Sequence, residues 1–403
     1  MSESKHPVLL AGAGIGGLTT LLALHARGVD AMAIDRAVTI DAVGVGINLL
    51  PHAVRELDQL GLGDRLEAIS IAPHGLDFYD PRGELLWREP LGLAGGYEYP
   101  QRSVHRGALQ MLLLNAVTDR LGAAAVTPDT ALLDFDDTGT CVRVATSQGD
   151  SSCAALVGAD GIHSTVRAAM HGPEDDPILF SGTRMYRGVT PMQPFLDGTT
   201  MAIVKAGHGV ELVVYPLAGG LTNWVLLVPE AHPGGDLGWN RPVDRVLLAA
   251  QVRDWHLGWL DPVALIEAAA TVMQYPMVDR EPLPWWGRGR VTLLGDAAHP
   301  MYPVGANGGS QAIVDAAVLA ECLAHDPTDG LRDYERRRMP ITADVVRANR
   351  QRHRSDPRHQ ADAAARYRTQ TRADDRATTH AATSTATDHT PTPAVTPGAE
   401  RRG

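Results

Sequence analysis

An unbroken apolar run at 7–11 is followed by a cluster of glycines and by a second apolar segment at helical density, 18–26, which stops at Gly28. A short strand, 30–34, comes next, so the opening reads strand, glycine turn, helix, strand. From 107 to 121 the residues Leu109, Leu112, Leu113, Ala116 and Val117 recur at helix spacing. Short, turn-bounded segments near 130–136, 141–146 and 154–158 predict an antiparallel meander. The region 178–285 changes character: strands at 185–190, 210–215 and 223–228 precede two helical stretches, predicting a separate sheet-based layer. A buried strand at 291–294 and a glycine-rich turn then open a helix over about 308–324.

This order predicts an α/β fold in which a nucleotide-binding domain, 1–177, is interrupted by a sheet-based substrate domain, 178–285. The first domain resumes over 286–355 with a C-terminal helix. From residue 356 onward there is no Ile, Leu, Met, Phe or Trp. Too little apolar surface can be buried there to offset the entropy of ordering, so 356–403 is expected to be a disordered tail. No repeat of roughly 20–50 residues is evident.

Composition narrows the partners. The 403 residues, 44% hydrophobic and 21% charged, suit an ordinary globular protein, and a formal net charge of -11 argues against nucleic acid. Cys141, Cys153 and Cys322 are odd in number and form no Cys-x-x-Cys pair, so neither a disulfide framework nor a metal site is expected. The apolar stretch 8–26 is broken by glycines and better read as strand and helix than as a membrane span, and a cytoplasmic location without membrane contact is expected.

The strongest motif is Gly12-Ala13-Gly14-Ile15-Gly16-Gly17, a G-x-G-x-x-G pattern directly after a strand and directly before a helix. Gly12 suits the tight turn, Gly14 close approach of a pyrophosphate, and Gly17 helix-to-strand packing. Phosphates at such a helix start meet free N–H groups and the positive end of the dipole. Asp35, with Arg36 beside it, ends the second strand 18 residues after Gly17, where a carboxylate can accept ribose hydroxyls. A plain connecting turn with a solvated Asp35 is the bland alternative, and the pattern does not distinguish FAD from NAD.

Two later segments end buried strands in acidic turns: Leu156-Val157-Gly158-Ala159-Asp160-Gly161, running on to Arg167, and Val291-Thr292-Leu293-Leu294-Gly295-Asp296-Ala297-Ala298-His299-Pro300. Each aspartate could simply cap its turn. In this order the segments resemble the signatures of the class A flavoprotein monooxygenases, typified by para-hydroxybenzoate hydroxylase. Stretches such as GVGINLLP, HRGALQM, MYRGVT, NWVLLVP and QYPMVDREPLPWWGRGRVTLLGDAAH are similar to the phenazine branch, the 5-methylphenazine-1-carboxylate monooxygenases of pyocyanin formation. The likeness runs from about residue 7 to about 350.

The resemblance implies a Rossmann-like FAD-binding domain. Asp296 would bind the ribityl chain, while Asp160, Gly161 and Arg167 would support flavin and pyridine nucleotide. Arg106 opens a predicted helix, where the dipole disfavours a cation unless an anion is near, and in the family an arginine in this setting reaches the flavin. The loop around Val45 resembles the one beside the flavin ring. The turn Gly305-Ala306-Asn307-Gly308 departs from the more usual G-Q-G-x-N pattern, as the phenazine branch also does; the helix start there would face the pyrimidine edge of the flavin and stabilise its reduced, negative form.

By the same resemblance, NADH or NADPH reduces FAD, molecular oxygen adds at the flavin C4a, and the hydroperoxide hydroxylates a small aromatic substrate, with loss of carbon dioxide where the target carbon carries a carboxylate. No residue is assigned as acid or base. Tyr186, Arg187, Tyr215, Trp224, His299, Met301 and Pro303 lie in segments expected to face the ring, although core packing would equally explain each aromatic. For Arg187 a structural ion pair is the favoured expectation over a bidentate carboxylate contact. An oxygenase that inactivates a polycyclic antibiotic and a non-catalytic carrier of FAD and an aromatic ligand are the competing readings. Either a monomer or a homodimer is compatible with the sequence.

Overall fold

The computed structural model describes residues 6–232, 239–326 and 329–354. The tail expected from 356 onward lies outside the described residues.

A five-stranded, wholly parallel sheet carries the glycine motif, in the order Val291–Leu293, Ala155–Gly158, Val8–Ala11, Ala31–Ile34, Val126–Thr127. Every residue of Val8–Ala11 and of Ala155–Gly158 is buried. A strand covered on both faces needs apolar side chains at every position, which is why these segments read as runs and not as alternations. Helix Ile15–His25 packs between this sheet and helix Asn307–His325.

The expected meander is corrected in its last member. Leu132–Asp137 and Val142–Thr146 pair antiparallel as anticipated, but the third strand is Gly149–Cys153. Residues 155–158 lie instead beside the first strand in the parallel sheet. Their unbroken apolar run marks that buried place, whereas the polar Gly149–Cys153 suits a meander with one wet face.

The second large sheet has eight strands, ordered Arg241–Pro242, Val272–Asp279, Leu179–Pro191, Leu221–Pro229, Glu211–Leu217, Thr200–Lys205, Gly75–Tyr79, Leu85–Pro90. It therefore takes in two strands from well before residue 178. Side chains alternate between its faces. On one face Tyr186, Leu212, Val214, Trp224 and Leu226 pack with Leu248, Val252, Trp255, Leu265 and Ile266 of the helical stretches. On the other, Met185, Val225, Leu227, Tyr275 and Met277 pack with Tyr302 and Val304, from the turn after the strand Val291–Leu293. A small fourth sheet, Gly46–Leu49 with Arg102–His105 and Ser70–Ile71, brings the Val45 loop to this second face.

Candidate active site

The glycine motif divides its labour as the chain geometry requires. Gly12 sits at φ 112°, and a Cβ there would lie 2.4 Å from the carbonyl oxygen of Ala159. At Gly17 a Cβ would stand 2.0 Å from the Gly12 oxygen. Both positions are closed by the protein itself. Gly14 differs: nothing lies within 4 Å of an added Cβ, so the free space at the helix start is open to a ligand. Asp35 holds the turn, accepting the Ala13 N–H through Oδ2 at 2.7 Å and the Ala37 N–H through Oδ1 at 2.8 Å. An ionised carboxylate has about four acceptor positions, so Asp35 could still accept ribose hydroxyls. Arg36 beside it is exposed.

The other end of the groove forms around Asp296. This residue is open to the groove, yet enough protein surrounds it that burial raises its carboxyl above the ordinary range, against the pull of His299 and Arg106. A Cβ on Gly308 would lie 3.7 Å from Asp296 Oδ1, and one on Gly309 3.8 Å from Ile47 Cδ1. The start of helix Asn307–His325 is thus held between the acidic turn and the Val45 loop without side chains in the way. Gly305 at φ 74° and Ala306 at φ 60° make the preceding turn, and buried Asn307 donates through Nδ2 to the Gly305 carbonyl at 3.2 Å. A left-handed alanine costs on the order of 1 kcal/mol or more, which the surroundings must supply. Arg106 donates its backbone N–H to the Val45 carbonyl at 2.9 Å.

Asp160 accepts the Thr165 N–H at 2.7 Å through Oδ2, while its Oδ1 is shielded from solvent with no protein partner. Burial raises its carboxyl as well. Gly161, at φ 78°, has open space where a side chain would be. Arg167 requires a correction. It grips Asp176 at 2.5 and 2.8 Å and donates to the carbonyls of Ala297 and Ala298 at 3.0 and 2.9 Å. At 1% exposure it ties the two acidic turns together from behind and does not line the groove.

Sequence reasoning also missed a network under the Asp296 turn. Asp315, fully buried, lies 2.6 Å from His299 Nε2, accepts the Gly295 N–H at 3.1 Å and accepts Arg338 Nε at 2.7 Å. Burial alone would raise this carboxyl, but His299 and Arg338 outweigh it and hold it below the usual range. Asp315 is therefore the ionised acceptor at the centre of this network. Arg338 belongs to the C-terminal helix, whose distance in sequence hides the link.

Strand phase sorts the expected substrate residues. Trp224, fully buried, donates Nε1–H to Thr190 Oγ1 at 3.1 Å, and Tyr186 packs on the same helix-covered face. Both point away from the groove, because neighbours in a strand face opposite ways. Met301 packs against Val345 and Val346, and Pro303 is exposed. Arg187 and Tyr215 do face the groove side, joined by Asn223, which the sequence did not single out. Asn223 Oδ1 accepts the Gly46 N–H at 2.6 Å, and Arg187 Nη2 donates to the Gly46 carbonyl at 3.1 Å. Burial pushes the Tyr215 hydroxyl up to about 12, against the opposing influence of Arg187. The structural ion pair expected for Arg187 is absent: among the described residues no carboxylate pairs with it.

A glycine cradle at a helix start, a ribose-ready acid and a groove-facing acid beside a second helix start fit a flavoprotein, and the relatives place it among the FAD-dependent oxygenases. The chain belongs to the FAD binding domain family, which matches residues 5–349, and its cofactor is FAD. It is 44% identical over 370 residues to phenazine 1,6-dicarboxylic acid hydroxylase of Lysobacter antibioticus, covering 87% of this chain and 91% of that one. It is 34% identical to 3-hydroxybenzoate 6-hydroxylase 1 of Aquipseudomonas alcaligenes, covering 84% and 86%. The crystal structure of Klebsiella pneumoniae HpxO with FAD and uric acid superposes with a TM-score of 0.75 at 27% identity, covering 91% and 92%. Among the described residues no helix is long and apolar enough to cross a membrane.

Proposed function

We propose that this enzyme is an FAD-dependent, NAD(P)H- and oxygen-consuming monooxygenase that hydroxylates a phenazine-type or related polycyclic aromatic in secondary metabolism. The observation that carries the substrate class is the groove-side face of the eight-stranded sheet. There Met185, Val225, Leu227, Tyr275 and Met277 gather over the turn bearing Tyr302 and Val304, beside the Asp296 end of the cofactor groove. An apolar face with a few polar groups suits a fused aromatic ring system. The likeness to the Lysobacter phenazine hydroxylase spans both this face and the groove.

FAD supplies the redox chemistry, accepting reducing equivalents from the nicotinamide and activating oxygen for transfer to the ring. The chain's own residues bind and orient. Gly12, Ala13, Gly14, Ile15, Gly16 and Gly17 would cradle the pyrophosphate, Asp35 and Arg36 the adenosine, and Asp296 the ribityl chain. Val45, Arg106, Asp160, Gly161 and the turn Gly305, Ala306, Asn307 and Gly308 would frame the remainder. Backbone N–H groups at the start of helix Asn307–His325 would face the pyrimidine edge and favour negative charge there. The apolar face of the sheet would keep water from the reacting atoms.

The test is oxidation of NADH and of NADPH by the purified yellow protein with phenazine-1-carboxylate, its N-methyl derivative and phenazine-1,6-dicarboxylate, with product masses determined. Stimulated oxidation with a hydroxylated product is expected, and the mass shows whether carbon dioxide is lost. Bound flavin with no stimulation by any of the three refutes the phenazine reading.

A further inference from the structure

The polar groups on the groove-side face share one property: their unmet capacity is all for donation. Arg187 Nε is shielded from solvent with no acceptor, and so is Asn223 Nδ2. Arg187 and Asn223 meet at Gly46, where one donates to the carbonyl and the other accepts the N–H, so both lie against a single residue and its two flanking peptides. Tyr215 pairs across the strands with Asn223, accepts a hydrogen bond from Arg187, and is kept in its neutral form by burial. The charged neighbour that acts on Arg187 is Arg106, of like sign, and burial comes first among the causes that lower its guanidinium.

A guanidinium enclosed by protein with no carboxylate is costly. Its own unpartnered Nε–H and the orphaned Asn223 Nδ2 beside it add to that cost, each leaving a buried N–H unsatisfied. Both are relieved by one kind of ligand, a planar anion whose two oxygens match the guanidinium fork. The surrounding walls, Met185, Val189, Val213 and Tyr275, are apolar, so the anion would be carried on an apolar body.

We propose that Arg187 and Asn223 recognise a carboxylate on the aromatic substrate and thereby set the specificity of the site. This rests on the aromatic monooxygenase reading and deepens it. Gly46 is held on both sides by these two side chains, and its N–H belongs to the same peptide as the Val45 carbonyl that holds Arg106. A carboxylate that recruits Arg187 therefore acts on the flavin-side loop as well, so its presence is registered in flavin reduction and not in binding alone.

The test compares matched pairs on the holoenzyme: phenazine-1-carboxylate against phenazine-1-carboxamide, and 3-hydroxybenzoate against 3-hydroxybenzamide. Dissociation constants come from the change in flavin absorbance, and NADH oxidation is followed in parallel. Each pair differs by one charge-assisted contact, so the wild type should favour the carboxylate by roughly 10- to 100-fold. Arg187→Met should reduce that ratio to about one, and Arg187→Lys should restore part of it, since a point charge lacks the fork.

A wild type that does not prefer the carboxylate in either pair overturns the proposal without any variant being made. So does a variant that keeps the wild-type ratio while flavin affinity or spectrum shifts, which would assign Arg187 to the cofactor. Preference in the benzoate pair with no response to either phenazine supports the clamp while the phenazine reading fails; turnover of both phenazines with no carboxylate preference in either pair leaves the phenazine reading standing and sinks the clamp.

Discussion

Replacing Gly12 and Gly14 separately by alanine should give opposite failures, although the two glycines stand two residues apart in one motif. At Gly12 the backbone is left-handed, at φ 112°, and the new Cβ would stand 2.4 Å from the Ala159 oxygen. Backbone strain of about 1–3 kcal/mol adds to an overpacking cost of about 1–3 kcal/mol, because the atom struck is main chain of the neighbouring strand and has little room to yield. Gly12→Ala should therefore lose roughly 2–6 kcal/mol of stability even without cofactor. At Gly14 the backbone is extended (φ -75°, ψ -172°) and nothing lies within 4 Å. Gly14→Ala should leave the stability of the apoprotein within about 1 kcal/mol, as the weaker helix cap is offset by lower unfolded-chain entropy. The methyl would instead occupy the space that admits a pyrophosphate, and losing one charge-assisted N–H contact should weaken FAD binding about 10- to 100-fold. Urea denaturation of the two apoproteins and FAD titration by fluorescence quenching measure both quantities. If Gly14→Ala bound FAD like the wild type, the pyrophosphate would not approach there and the division of labour would be wrong.

Other consequences follow from the buried networks and the strand phase. Asp315→Asn leaves His299 and Arg338 facing an uncharged group and should cost about 3–5 kcal/mol at neutral pH. Because the folded carboxyl is held below its unfolded value, that stability is present above about pH 4 and disappears as pH falls through the folded value. Urea denaturation between about pH 7 and pH 3 should show the loss in the wild type and not in the variant. His52, pushed down to about 3 by burial with Arg338 and Arg55 adding, stays neutral while the unfolded chain takes up a proton below about pH 6.5. Stability should thus fall from about pH 6.5 toward pH 3, and His52→Gln should flatten that slope by up to about one proton. Trp224→Ala should cost about 3–5 kcal/mol, yet Trp224→Phe should leave KM for the aromatic unchanged within about twofold; a large rise would place the ring in the substrate site after all. Gly46→Ala sets a Cβ 2.7 Å from Asn223 and should raise KM about tenfold with FAD affinity preserved.

Much of the cofactor site was legible because its requirements are local. A strand, a glycine turn and a helix start are consecutive in sequence, and Gly12, Gly14 and Gly17 are needed for reasons that act over a few residues. The acids at Asp35, Asp160 and Asp296 each follow a strand of the same parallel sheet, so one edge collects them. Arg106 at the start of helix Arg106–Leu121 was visible for the same reason, as a cation at the wrong end of a dipole.

The substrate side was not legible in the same way. Which residues of a strand face the ligand depends on a phase of two, and Tyr186 beside Arg187, or Trp224 beside Asn223, can be assigned only when both sheet faces are seen to be covered. Arg167 was expected to support flavin and pyridine nucleotide, but how it is held, by Asp176 and by two carbonyls far along the chain, was not visible in the sequence. The Asp315 network needed a helix that starts at Gly330 to return beneath a turn at Gly295. Sequence alone determined what each short segment could bind, since caps, turns and periodicity are local; the tertiary structure decided which side chains meet, since burial and charge pairing depend on neighbours that the chain order does not reveal.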